Sequence, residues 1–249
     1  MKHFIRLLGL ILLLPVTAMA TEETNKPPPQ QLATYNEDVT GDAEKETIDL
    51  KGLLFADDTE YYVDTWVSIS SKDDEEWEVQ YEGGYQPRIK FRDLNHDGVK
   101  DILYQRLANK NANLHDYQLH TLNNGKLNKM ALPEQKYITA QFNDDFQVEV
   151  QLSPDKKPAN VDISDQASKY AKLGIYDKNG KLLERTSPMI EPIASFKPIK
   201  ISKEKGYGLK SKQRIHGAFR NHRLGTVETL WYYEQDQWII LKTEWVPSN

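Results

Sequence analysis

The sequence predicts an all-β, mainly antiparallel protein with one short helix. Three observations carry this. Apolar and aromatic residues alternate with polar ones at period two through most of the chain, the signature of half-buried strands. Asn-Gly pairs at 124–125 and 179–180 separate such stretches, as tight hairpin turns do. Only SDQASKYAKL, Ser164 to Leu173, has helical spacing.

The elements follow in order. Lys2 and Arg6 flank the start of an apolar run, LLGLILLLPVT, and Ala18-Met19-Ala20 offers small residues to a signal peptidase. Residues 1–20 are therefore predicted to be a Sec-type signal peptide cleaved after Ala20. The run falls short of the roughly 20 residues that span a bilayer; an uncleaved anchor is the rival reading. Residues 21–34, opening TEETNKPPPQQ, are polar and proline-rich and read as a flexible linker. The chain has no cysteine, so disulfides and a lipid-modified N-terminus are excluded. The expected location is secreted or extracellular, with no membrane span after cleavage.

Strands are predicted at YYVDTWVSIS (61–70), WEVQYEG (77–83), PRIKF (87–91), DILYQRL (101–107) and FQVEVQL (146–152). Hairpins are predicted at 117–132 and 173–184, and at 227–246 with a turn near Gln235-Asp236. Residues 35–134 read as one region and 135–249 as a second β region packed on it.

Charge separates along the same line. Residues 21–110 hold 21 Asp+Glu against 10 Lys+Arg, and residues 111–249 hold 16 against 20. An acidic first half suits cation binding and argues against nucleic acid as the main partner, which needs a basic face.

The sharpest motif is DLNHDGVKD. Asp93, Asn95, Asp97 and Asp101 stand at positions 1, 3, 5 and 9, with the Val99 carbonyl at 7 and Gly98 at 6. Oxygen ligands on alternate residues can point inward when the backbone coils around an ion, and glycine permits that coiling. Hard oxygens suit Ca²⁺ over zinc or copper. Position 12 is Tyr104 rather than glutamate and the flanks are strand-like, so this is no EF-hand. A second copy lies upstream: Asp38, Thr40, Asp42, Glu44 and Glu46 fall on positions 1, 3, 5, 7 and 9, with Ala43 at position 6 and Gly41 at 4. The copies are 55 residues apart, a plausible length for a several-stranded repeat. A third trace, PIKISKEKGYGLK, places Lys200, Ser202, Glu204 and Gly208 in the same frame; most ligands are missing, and no metal is predicted there. A solvated polar turn is the plain alternative for such residues.

The pattern D-x-[DNT]-x-D-G-x-x-D followed by an apolar strand resembles the calcium loop of FG-GAP and VCBS-type repeats, found in integrin-like β-propellers and many secreted bacterial proteins. The tail from Gln213 to Trp245 also resembles the C-terminal part of uncharacterised secreted proteins of Gram-positive bacteria. The resemblance implies FG-GAP-like repeats with calcium loops between strands, in a partial propeller or sandwich. It assigns the ligand role to Asp93, Asn95, Asp97, Val99 and Asp101, and to Asp38, Thr40, Asp42, Glu44 and Glu46, for one to two Ca²⁺. Ala43 for glycine and Glu46 for aspartate depart from the pattern.

Catalytic signals are weak. His96, His115, His120, His216 and His222 show no HExxH spacing, and no G-x-S-x-G elbow is present. His96, at position 4 of its loop, is expected to point outward. Asp73-Asp74-Glu75-Glu76 reads as a solvated hairpin tip. Lys197 to Arg223 holds nine Lys+Arg against one acid, Glu204. Either it is a patch for an anionic cell-envelope polymer, or its charges alternate along solvated strand faces. Trp231, Trp238 and Trp245 recur every seven residues and read as core and cross-strand pairs. The expectation is a secreted calcium-binding β protein, a non-catalytic binding or structural module at the envelope; the alternative is a hydrolase using carboxylates on the same scaffold.

Overall fold

A computed structural model describes residues 27–110 and 114–248. The predicted signal peptide and the first part of the linker lie outside the described residues. Among the described residues the chain is mostly antiparallel β with one short α-helix, and the sheets do not close into a barrel. No described helix is long and apolar enough to cross a membrane.

Seven strands form the first sheet in sequence order: β1 (Gln30–Glu37), β2 (Glu46–Leu54), β3 (Tyr61–Ser70), β4 (Glu76–Arg92), β5 (Asp101–Asn109), β6 (Leu114–Asn123) and β7 (Lys126–Met130). β1 begins inside the stretch read as linker, because Gln31 and Thr34 share the Asp49 carboxylate of β2 while the backbone joins the ladder.

WEVQYEG and PRIKF are not two strands. Both belong to β4, whose residues 76–85 pair with β3 and whose residues 85–92 pair with β5. The register slips between Tyr85 and Arg88, and Gln86 has φ +50°. At Gly83 a Cβ would lie 2.2 Å from the Tyr62 carbonyl, so only glycine allows the backbones to approach this closely. Strand alternation survives the corner, but the sheet folds onto itself there.

The folded sheet encloses one core. Ile48, Leu50, Val67 and Ile69 meet Ile89, Phe91, Ile102, Tyr104 and Leu122, all nearly or fully buried. Tyr81 stacks on Tyr104 at 3.8 Å, and the Tyr104 hydroxyl lies 2.6 Å from Thr65 Oγ1. Adding 55 to the bounds of β2 gives those of β5, and adding it to β1 gives residues 85–92. The second motif therefore sits in a structural repeat of the first.

Residues 131–188 connect to the last sheet. They carry a small sheet of β8 (Thr139–Asn143), β9 (Gln147–Gln151) and β10 (Ala159–Asp162), then a 3₁₀ turn and α1 (Ala167–Lys172). The hairpin expected at 173–184 is reduced to one bridge, Tyr176 to Leu182. The Asp177 carboxylate accepts from the Asn179 and Lys181 N–H groups and tightens the turn before strands can extend. β11 (Met189–Ser202), β12 (Gly206–His216), β13 (Arg223–Glu234) and β14 (Gln237–Pro247) form a four-stranded meander.

One face of this meander covers two neighbours. Leu209, Trp231 and Phe196 pack on Leu94, Leu103 and Leu119 of the first sheet. Ile215, Leu224 and Val227 pack on Phe142, Val148, Val150, Tyr170 and Tyr176 around the small sheet and α1. β5 is thus a middle layer, which explains why Ile102, Leu103 and Tyr104 are consecutively apolar and all at most 1% exposed. The tryptophans are packed: Trp231 Nε1 donates to Ser211 Oγ, Trp238 Nε1 to the Ala131 carbonyl, and Trp245 packs against Val227's cluster.

Candidate metal centre

Each motif forms the connection from one strand to its antiparallel neighbour: residues 38–45 join β1 to β2, and residues 93–100 join β4 to β5. The two loops share one hydrogen-bond diagram. At position 1, Asp93 accepts from His96 N–H at 2.7 Å and Gly98 N–H at 3.2 Å; Asp38 accepts from Gly41 N–H at 2.7 Å and Ala43 N–H at 3.1 Å. At position 5, Asp97 accepts from Val99 N–H at 2.9 Å and Asp42 from Glu44 N–H at 2.7 Å. At position 9, Asp101 and Glu46 each accept from the position-2 N–H, of Leu94 and Val39, at 2.8 Å. The position-2 side chains, Leu94 and Val39, are both 0% exposed and anchor the loops in the core.

Both coils need left-handed residues at positions 4 and 6. These are Gly41 (φ +83°) and Ala43 (φ +69°) in the first, and His96 (φ +65°) and Gly98 (φ +92°) in the second. Each loop spends its glycine on a different one of the two positions. The departure noted at Ala43 is therefore an exchange of positions within the same backbone path. Gly41 is the tighter case, since a Cβ there would lie 2.6 Å from Val99 Cγ2. That contact, with Lys100 Nζ donating to Glu37 at 2.6 Å, places the two loops side by side.

The carboxylates at position 9 differ. Asp101 is fully buried; its Oδ2 accepts from Leu94 and Asn95, while Oδ1 has no partner of hydrogen-bonding geometry. Burial pushes its pKa up from 3.8 to about 6, against the backbone donors and the nearby Thr121 hydroxyl that favour the ionised form. Glu46, 1% exposed, engages both oxygens: Val39 N–H meets Oε2, and the Thr40 hydroxyl donates to Oε1 at 3.4 Å. The Glu44 side chain turns outward to Lys72, which leaves only its carbonyl for an inward role. Among the described residues no three His, Asp or Glu side chains already converge as metal ligands. The loop carboxylates are held by the loop's own N–H groups.

His96 does not point outward. Its ring stacks on Tyr232 of β13 at 4.5 Å, its Nε2 is buried without a partner, and Gly206 approaches the ring. The third sheet covers this side of the second loop, which sequence spacing could not register. The third trace, around Lys200, Ser202 and Glu204, is the tight turn from β11 to β12, where Ser202 Oγ accepts from Lys205 N–H.

The remaining histidines lie apart from the loops. His120 sits in the core beside Tyr81, and burial lowers its pKa to about 4. The Tyr170 hydroxyl meets His222 Nδ1 at 2.8 Å, and His216 lies 3.3 Å from Glu191.

A family model described as the YybI C-terminal domain matches residues 136–246. This stretch runs from just before β8 to the end of β14, so the C-terminal β region is similar to that domain. The loop-bearing first sheet lies outside the match. No curated protein and no solved structure matches the chain.

Proposed function

We propose that this protein is an exported, non-catalytic β module, stapled by calcium and acting as a binding or structural component at the cell envelope. The observation that carries the ion reading is the shared hydrogen-bond diagram of the two loops, together with the buried, unpartnered Oδ1 of Asp101. A buried carboxylate oxygen without a donor is costly, and a hard cation is its natural partner. Asp93, Asn95, Asp97 and Asp101, with the Val99 carbonyl, would hold one ion. Asp38, Thr40, Asp42 and Glu46, with the Glu44 carbonyl, would hold a second.

The role is structural because one short segment supplies most ligands, whereas a catalytic ion needs an open position and a nearby base. An ion that binds only the folded loop stabilises it by RT ln(1 + [L]/Kd). Extracellular calcium modules bind at about 10⁻⁴ to 10⁻³ M, so such sites fill outside the cell and empty in a low-calcium cytosol. For a chain with no cysteine, the ions take the place of disulfide cross-links. Thermal melting in millimolar Ca²⁺ and in chelator tests this. The midpoint should rise with Ca²⁺ and not with equal ionic strength of Na⁺; an unchanged midpoint sinks the ion reading.

A further inference from the structure

The cations of residues 197–214 divide into two sets. On β12, Lys210 and Lys212 both meet Glu228, and Arg214 meets Glu191. Those charges are spent inside the sheet's solvated face. On β11 and the turn after it, Lys197, Lys200 and Lys203 form no ion pair among the described residues, and Lys205 lies over the Tyr232 ring at 4.7 Å.

A row of cations also lies on β4, outside residues 197–223. β4 alternates past its corner, so Arg88, Lys90 and Arg92 are exposed while Ile89 and Phe91 are buried. None of the three meets a carboxylate among the described residues; Lys90 Nζ donates to Gln105 at 3.0 Å, and the Arg92 guanidinium lies 5.1 Å from the centre of the Tyr207 ring. Tyr207 is the cross-strand partner of Lys200, so the far end of the β4 row lies beside Lys200. At the near end, burial first and then the charges of Lys197 and Arg88 lower the pKa of Lys90. The packing of Tyr117 on Phe196, edge-on at 5.5 Å, holds β11 against the first sheet.

We propose that Arg88, Lys90 and Arg92 of β4, with Lys197 and Lys200 of β11, form a cationic track that binds a linear phosphodiester polymer that carries no bases. Arg88, Lys90 and Arg92, two apart on one strand, repeat every ~6.5 to 7 Å, a spacing suited to singly charged repeats along a flexible chain; Lys197 and Lys200, three apart and so on opposite faces of the edge strand β11, flank that row. Arginine adds bidentate donors that match phosphate oxygens. Tyr207 is covered by Arg92, and Tyr232 lies between His96 and Lys205, so neither is a free aromatic platform for bases. The track deepens the binding-module reading above and rests on it for the role of binder, but not on the ions.

The test uses the full mature chain in millimolar Ca²⁺ at near-physiological salt, with poly(glycerol phosphate) as the phosphodiester probe. Polygalacturonate and an oligo-dT strand are the comparison probes. Lys90→Glu with Lys197→Glu should weaken poly(glycerol phosphate) binding by about tenfold or more, and the neutral pair Lys90→Gln with Lys197→Gln by a smaller factor. Lys178→Glu with Lys181→Glu, the same charge change in an exposed turn elsewhere, should leave it within about twofold. Unaltered melting of each variant separates lost binding from lost fold, and the neutral pair serves if the reversal does not fold. The proposal is overturned by wild-type protein that ignores the probe, by equal losses in the track and control variants, or by tighter binding of polygalacturonate or oligo-dT. A melting midpoint that ignores Ca²⁺ would overturn the ion reading alone and leave these comparisons intact.

Discussion

Asp101→Asn separates the two faces of a calcium staple. Without an ion, the folded state carries a buried carboxylate whose pKa rises from 3.8 to about 6. A raised folded-state pKa means the folded form binds the proton more tightly. The penalty is absent below pH 3.8, where both states are protonated; it grows as pH rises through the window and is complete above about pH 6. A shift of that size corresponds to at most about 3 kcal/mol at pH 7. Asparagine keeps one oxygen for the Leu94 and Asn95 N–H groups and can turn its amide toward the space now held by Oδ1, beside Thr121. In chelator at pH 7, urea denaturation should therefore find Asp101→Asn more stable than wild type, by up to about 3 kcal/mol. In Ca²⁺ the order should close or reverse, since wild type gains about 1.4 kcal/mol at ten times Kd and about 2.7 at a hundred times, and the variant gains little from this loop. Chelated wild type should also gain stability from this group as pH falls from 7 toward 5. A variant that is less stable than wild type in chelator, or that keeps the full calcium response, refutes the reasoning.

Other consequences follow from the loops and the joint. Gly41→Ala should destabilise more than Gly98→Ala by melting, because both sit at positive φ but only Gly41 has Val99 within contact, whereas a Cβ on Gly98 meets open space. Ala43→Gly should change stability by less than about 1 kcal/mol, since relief of a left-handed alanine is offset by a freer unfolded chain. Leu94→Ala should cost about 2 to 5 kcal/mol in urea denaturation, with or without Ca²⁺, as it opens a cavity between two sheets. Tyr232→Ala should weaken Ca²⁺ affinity by up to about tenfold in calorimetry through loss of the His96 stack; unchanged affinity would mean the third sheet does not support the loop.

Much of the fold was legible because its local signals agree. YYVDTWVSIS is β3 to the residue, Asn124 and Gly125 are left-handed at the predicted hairpin turn, and the helix lies within Ser164 to Leu173. The corner in β4 was not legible, because the sequence around Gly83-Gly84 and Pro87 gives the same signal for a turn as for a bend between continuous ladders. β11 and β12 escaped notice for another reason. Their lysines and prolines mask the alternation, and their pairing is set by packing on Phe196 and Leu209 from a distant layer. The loop residues were legible as a spacing, but the exchange of glycine between positions 4 and 6 needed the backbone angles. The cationic row on β4 was hidden because three cations at alternate positions of PRIKFR attract no attention until the β11 lysines lie beside them.

The two loops have one diagram and different surroundings, and this sets what each ion can do. The first packs Val39 into the core of the folded sheet, and its Glu44 reaches only Lys72 in the adjacent β3–β4 turn. An ion there would act within the first sheet. The second buries Leu94 between the first sheet and the C-terminal meander and sends His96 onto Tyr232. It also follows directly on Arg92, the β4 residue that closes the cationic track against Tyr207. An ion at the second loop would fix the angle at which β4 meets β11, and so the placement of the β4 row against the β11 lysines. Charge reversal in the first loop should lower stability and leave polymer binding by the folded protein unchanged. The same change at Asp97 should loosen both, and equal effects from the two loops would argue that the layers dock without help from either ion.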